Sequence, residues 1–173
     1  MATKKKPAQP AASAATQLLV SELQEIYNAE TQWARAAVRF IKAAQAEWLQ
    51  QYLDRRMETG SQLSEDLQAA FEQLQQSPGR KKNGAVEGLL SDVRERMQAV
   101  TKGPARDAVL IAGVQKVEHY CMAAWGTSRA LAQALGIESV AETMGRALDE
   151  GRDLDRQLTE LAEQEILPKL LGS

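Results

Sequence analysis

Val114-Gln115-Lys116-Val117-Glu118-His119-Tyr120-Cys121-Met122-Ala123-Ala124-Trp125 is the stretch on which the fold turns. Val114, Glu118, Cys121, Met122 and Trp125 recur at helical intervals, so they share one stripe of an α-helix. The stretch sits in a longer apolar run from Ala105 to about Leu135. Glu118 is the charged member of that stripe. A carboxylate aimed at a core is costly unless something neutralises it. A metal or an arginine could do so, and the choice between them is the functional question the sequence poses.

The flanking text is helical almost throughout. Ala, Leu, Glu, Gln and Arg dominate, and these are good helix formers. No stretch alternates with period two, so no sheet is expected. Breakers fall at Ser77-Pro78-Gly79, Gly103-Pro104 and Leu135-Gly136, and Pro168 is expected to end the last helix. As one helix, Thr16 to Gln76 would be about 90 Å long at ~1.5 Å per residue. That is too long for a compact domain, so a turn is expected near Ala43–Glu47, although no Gly or Pro marks it. Five helices result, roughly 16–43, 48–76, 84–101, 105–135 and 138–166. The short third one is placed to be the crossover of an all-α, ferritin-like four-helix bundle. The expected organisation is a disordered basic Ala/Pro tail over 1–15, the bundle over 16–167 and a C-terminal tail over 168–173.

Composition narrows the chemistry. A chain of 173 residues suits one domain. The net charge of -2 gives no global pull toward nucleic acid or a membrane surface, so neither is an expected partner. No segment approaches a membrane span. The single Cys121 fits a reducing, cytoplasmic setting. The single His119 excludes a metal site built on several imidazoles, so any metal site must be rich in carboxylates. Lys4-Lys5-Lys6 and Arg80-Lys81-Lys82 are weak pointers to an acidic surface as partner.

Each long helix offers one acid as an inward candidate: Glu30, Glu58, Glu118 and Glu150. The intervals Glu30 to Glu58 and Glu118 to Glu150 are 28 and 32 residues, which suggests two hairpins carrying acids at matching heights. Bundles build di-iron and di-manganese sites from such carboxylates. With 23 acids in the chain, four can also align by chance, as solvated faces and isolated ion pairs.

An ordered set of motifs carries a family resemblance. It comprises Glu25-Ile26-Tyr27-Asn28-Ala29-Glu30, Met57-Glu58-Thr59, Ala85-Val86-Glu87-Gly88-Leu89-Leu90, Gln115-Lys116-Val117-Glu118-His119-Tyr120, Gly126-Thr127-Ser128-Arg129-Ala130-Leu131 and Leu148-Asp149-Glu150. Together these resemble the YciE/YciF-like bacterial stress proteins of the ferritin-like superfamily, over about residues 17–165. The resemblance implies a homodimer with a di-metal carboxylate centre, iron or manganese, and ferroxidase-like chemistry. Glu30, Glu58, Glu118 and Glu150 match its metal-ligand positions; Asp153, Cys121 and Glu87 are secondary candidates.

Three departures weaken that implication. Arg55 stands where the family has a histidine, Cys121 where it has a second glutamate, and Asp153 where some members have a histidine. On a helix, Arg55 shares a face with Glu58 and could reach Glu118. Its permanent charge would repel cations and neutralise the acids itself. The degenerate reading is therefore a metal-free or single-metal bundle, and its alternative function is a non-catalytic stress or scaffold protein with Arg55 in place of the metal charge. Alternatively Arg55 turns to solvent and leaves a four-glutamate site. Cys121 is expected as a neutral buried thiol.

Overall fold

The computed structural model describes residues 13–172, and the proposed N-terminal tail lies outside these except for its last residues. Six α-helices follow in order: α1 Ala14–Ala43, α2 Glu47–Gln73, α3 Gly84–Ala99, α4 Pro104–Ala134, α5 Glu138–Leu161 and α6 Leu167–Leu171. A π-helical turn, Ala162–Ile166, joins α5 to α6. No strand occurs among the described residues.

α1, α2, α4 and α5 form the bundle. α1 packs on α2 and on α4, and α5 packs on α4 and on α2. Each helix turns its apolar stripe inward: Leu19, Leu23, Ile26, Trp33 and Phe40 from α1, Leu49, Leu53, Leu67 and Phe71 from α2. α4 adds Leu110, Val114, Val117 and Trp125, and α5 adds Met144, Leu154 and Leu158. α3 lies in the connection from α2 to α4 and covers α4 and α1 with Val86, Leu90 and Val93. This one long crossover between the second and third bundle helices is the ferritin-like connectivity. Close approach of α3 depends on Gly113, since a Cβ there would fall 2.2 Å from Val93 Cγ2.

The turn between α1 and α2 falls at 44–46, where chain length required it. Its cause is remote in sequence. The buried Asp107 of α4 accepts the backbone N–H of Gln45 at 2.8 Å and of Ala46 at 2.9 Å. Those amides open α2, so a carboxylate from another helix caps it. The crossover is fixed by Asn83, also buried. Its side-chain oxygen caps α3 by accepting from Val86 N–H, and its amide donates to Tyr120 Oη at 2.9 Å and to the Glu25 carbonyl at 3.2 Å. Asn28 accepts the Asn83 backbone N–H at 2.8 Å. Tyr120, Asn28 and Asn83 thus hold the crossover.

The C-terminus differs from expectation. Pro168 does not end the final helix; it sits in the first turn of α6, where its missing N–H leaves no gap. The π turn before it carries Ile166 into the core, and Trp48 Nε1 donates to Glu165 at 3.0 Å beside it.

Candidate functional site: a buried arginine between two glutamates

Three charged side chains meet in the middle of the bundle: Glu30 of α1, Arg56 of α2 and Glu118 of α4, exposed by only 2%, 2% and 0%. Each lies on its helix's core stripe. Glu30 falls between Ile26 and Trp33, and Glu118 between Val114 and Cys121. Arg56 follows Leu49, Tyr52 and Leu53 and precedes Gly60 and Leu63.

The guanidinium grips Glu30 with both arms, Nη1–H to Oε2 at 2.9 Å and Nη2–H to Oε1 at 3.0 Å. Nε–H donates to Glu118 Oε1. Forked, charge-assisted pairs of this kind are the strong ones. Trp33 and Trp125 sandwich the cation, with ring centroids 5.3 and 5.8 Å from Cζ. Gly60 makes room for the cluster. A Cβ at that position would lie 2.5 Å from Glu30 Oε2 and 2.6 Å from Arg56 Nη1.

One positive charge faces two carboxylates here. Burial would lower the arginine's affinity for its proton, but the fields of Glu118 and Glu30 overcome this and hold Arg56 well above its ordinary value. Burial pushes the Glu118 carboxyl up; Arg56 pulls it down and Glu30 pushes it up again. The upward direction for Glu118 follows from the count: Arg56 is already shared with Glu30, and Glu118 Oε2 is buried with no hydrogen-bond partner among the described residues. Tyr52, whose hydroxyl is likewise unpartnered, is raised by burial and then by the charge on Glu118. Cys121 is raised well above the thiol range by burial, then by Glu30 and Glu118, so it is a neutral thiol as expected.

The other expected site residues do not converge here. Arg55 is exposed; Arg56, one residue on and about 100° around the helix, fills the place assigned to it. Glu58 is exposed at the rim of a groove between α1 and α2. Glu150 is exposed, between buried Leu148 and Gly151. Asp153 pairs with Arg156 at 3.1 Å and Glu87 with Lys82 at 2.8 Å, both on the surface. His119 faces Asp155 at 3.3 Å on the exposed side of α4. Among the described residues, no three His, Cys, Asp or Glu side chains gather as a metal-ligand group. Of the expected ligands the fold brings Glu30 and Glu118 together, with the buried Cys121 thiol beside them, and a guanidinium joins the two acids.

Sequence reasoning missed Arg56, Asp107 and Asn83. For Arg56 a signal was available, because the stripe Leu49-Leu53-Arg56-Gly60-Leu63 runs through it.

Fold and site together define an all-α bundle with a long crossover and a carboxylate–guanidinium cluster in its core. The chain belongs to the DUF892 family, described as a domain of unknown function, which matches residues 14–171. It is 34% identical over 148 residues to Protein YciF of Escherichia coli (strain K12), covering 85% of this chain and 89% of that protein. Among solved structures, the E. coli stress protein YciF superposes with a TM-score of 0.82 at 32% identity, over 87% of this chain and 96% of that one. YcfI of Rhodopseudomonas palustris, proposed to be a structural protein, superposes with a TM-score of 0.81 at 28% identity, over 88% and 97%. Protein XCC3681 of Xanthomonas campestris pv. campestris shares the fold, with a TM-score of 0.73 at 17% identity over 92% and 98%.

Proposed function

We propose that this chain is a stress-response bundle protein that acts as a rigid structural or partner-binding element, not as a metal-dependent oxidoreductase. One observation carries the reading: the Arg56 guanidinium, bound to Glu30 and Glu118 together, stands where a metal pair would have to stand. The residues present do not fit iron or manganese. Two glutamates converge, and no imidazole accompanies them. A permanently charged group already supplies the neutralisation that a cation would provide. To enter, a divalent ion would have to expel a buried arginine that has no water to move into. The stress-protein name of the E. coli relative and the proposed structural role of the R. palustris protein support the same class of function.

Elemental analysis after growth in iron- and manganese-supplemented medium tests this. The expected result is a metal content far below one ion per chain, with Fe(II) oxidation no faster than in a Glu30→Gln/Glu118→Gln variant. Two ions per chain would overturn the reading and restore the di-metal oxidoreductase. The expected cytoplasmic homodimer belongs to the same proposal, and light scattering on the purified chain would measure its assembly state.

A further inference from the structure

A second set of arginines lies in a cleft between α1 and α3. Arg35 and Arg39 come from α1, one turn apart, and Arg94 comes from α3. They surround a cavity of about 230 Å³ whose floor is apolar, made by Ala36, Phe40 and Leu90. None of the three forms an ion pair or hydrogen bond among the described residues. Several surface arginines are matched within a helical turn, as Arg96 with Asp92, Arg152 with Asp149 and Arg156 with Asp153. Here the sequence withholds the partner. From Thr31 to Ala46 the chain has Arg35, Arg39 and Lys42 and no acid at all. Around Arg94, the positions three and four away are Leu90, Ser91, Met97 and Gln98. Like charges one turn apart repel. The one acid lining the cleft, Glu87, is engaged by Lys82 at 2.8 Å.

Three unpaired arginines converging on one cavity from two helices, against their mutual repulsion, point to an anion as the missing partner. The cavity is smaller than the ~300–1,000 Å³ of drug-sized pockets, so the ligand is compact. Guanidinium forks match phosphate oxygens two at a time. We propose that the α1–α3 cleft binds a compact, multiply charged phosphate compound, of the size and charge of inorganic triphosphate. Arg35 and Arg39 grip it from one wall and Arg94 from the other, and the compound neutralises their mutual repulsion. The site is separate from the buried Glu30–Arg56–Glu118 cluster.

Calorimetric titration of the full chain with sodium triphosphate at low salt tests this. One equivalent should bind, with affinity falling steeply as salt is raised. Arg39→Gln/Arg94→Gln should weaken it by about tenfold or more, through loss of two charge-assisted contacts. Lys4→Gln/Lys5→Gln/Lys6→Gln should leave it unchanged. Arg39 is exposed and Arg94 half-exposed, and the single Arg39→Gln, expected to weaken binding less, serves if the double variant melts early. Absence of binding at about 5 mM triphosphate, where even a millimolar ligand would register, overturns the proposal. So does equal affinity in the arginine variants. Binding to vesicles of anionic phospholipid without binding of free triphosphate would overturn it too, by placing the chemistry on a membrane surface.

Discussion

The chain treats its arginines in two opposite ways, and α1 shows both within three turns. Its inward face carries Glu30, which anchors the buried Arg56 between two tryptophans and a second glutamate. Its outer face carries Arg35 and Arg39, which with Arg94 of α3 line an open cleft and form no ion pair among the described residues. In the core, every arm of the guanidinium that the bundle uses is directed by helix register. At the surface, three guanidiniums are left with their donors free. The first arrangement is closed, its charge settled by the protein itself; the second is open to a charge from outside. Under the proposed reading, the core cation stands in for a metal charge, and any binding falls to the surface cleft.

The largest expected effect comes from breaking the closed arrangement on one side only. Arg56→Ala leaves Glu30 and Glu118 buried without their cation, and should lower the unfolding free energy by about 3–5 kcal/mol in urea titrations. Replacing all three with apolar groups, Glu30→Leu/Arg56→Met/Glu118→Leu, should be neutral or stabilising by up to about 4 kcal/mol. If the triple variant were as damaged as Arg56→Ala, the cluster would be a net source of stability instead of a replacement of charge.

Gly60→Ala sharpens the comparison at the next level. Its methyl would press on Glu30 Oε2 and Arg56 Nη1, neither of which can retreat into solvent. Overpacking of this kind costs about 1–3 kcal/mol. The shift should shrink markedly when combined with Glu30→Leu/Arg56→Met/Glu118→Leu, since the clash is with those two groups. Additive effects would mean that position 60 is strained for another reason.

The fold was legible in the sequence because helical periodicity and breakers are local. The observed bounds of α1, α2 and α4 lie within three residues of the expected ones, while α5 ends at Leu161, five residues before the expected 166, where the π turn takes over. The turn at 44–46 followed from length, but its fastening by Asp107 did not, because that contact spans about sixty residues. The site was legible only in part. Glu30 and Glu118 were found from their own helices' stripes. Glu58 and Glu150 are placed inward by the same periodicity, but the apolar stripes of their helices run through Arg56-Gly60 and Leu148-Gly151 instead, which leaves both acids exposed. The arginine was placed one residue early, a 100° error, because it was aligned to Glu58 and not to Leu49, Leu53 and Leu63. The unpaired arginines of the cleft left a trace too, as the acid-free run after Glu30, but their convergence with Arg94 is purely tertiary.

A smaller effect depends on pH. Burial holds the Glu118 carboxyl above its ordinary range, with Arg56 lowering it and Glu30 and Asp155 raising it. The native state therefore keeps a proton that the unfolded chain releases. This group's contribution to stability is full below the unfolded carboxyl range and is lost as pH rises through the raised native value. Glutamine imitates the protonated form and does not titrate. The stability of Glu118→Gln relative to the natural chain should therefore improve between about pH 4.5, near the unfolded glutamate value, and pH 7.5. A difference that stays flat across that interval would show that Arg56 keeps Glu118 ionised throughout.

The smallest effect belongs to the open arrangement. Arg39→Gln removes one of two like charges a turn apart and breaks no pair, so its stability change should stay within about 0.5 kcal/mol. Its sign is the informative part. If Arg35, Arg39 and Arg94 repel one another, the substitution should raise the melting temperature slightly at low salt. That gain should fade by physiological salt, where the Debye length falls to about 8 Å. Added triphosphate should reverse the order, because it stabilises the chain that still carries all three arginines. A loss of stability at low salt without ligand would mean that Arg39 contributes through its aliphatic stem on Phe40. The surface arginines would then be packing groups, and the contrast with Arg56 would be one of degree.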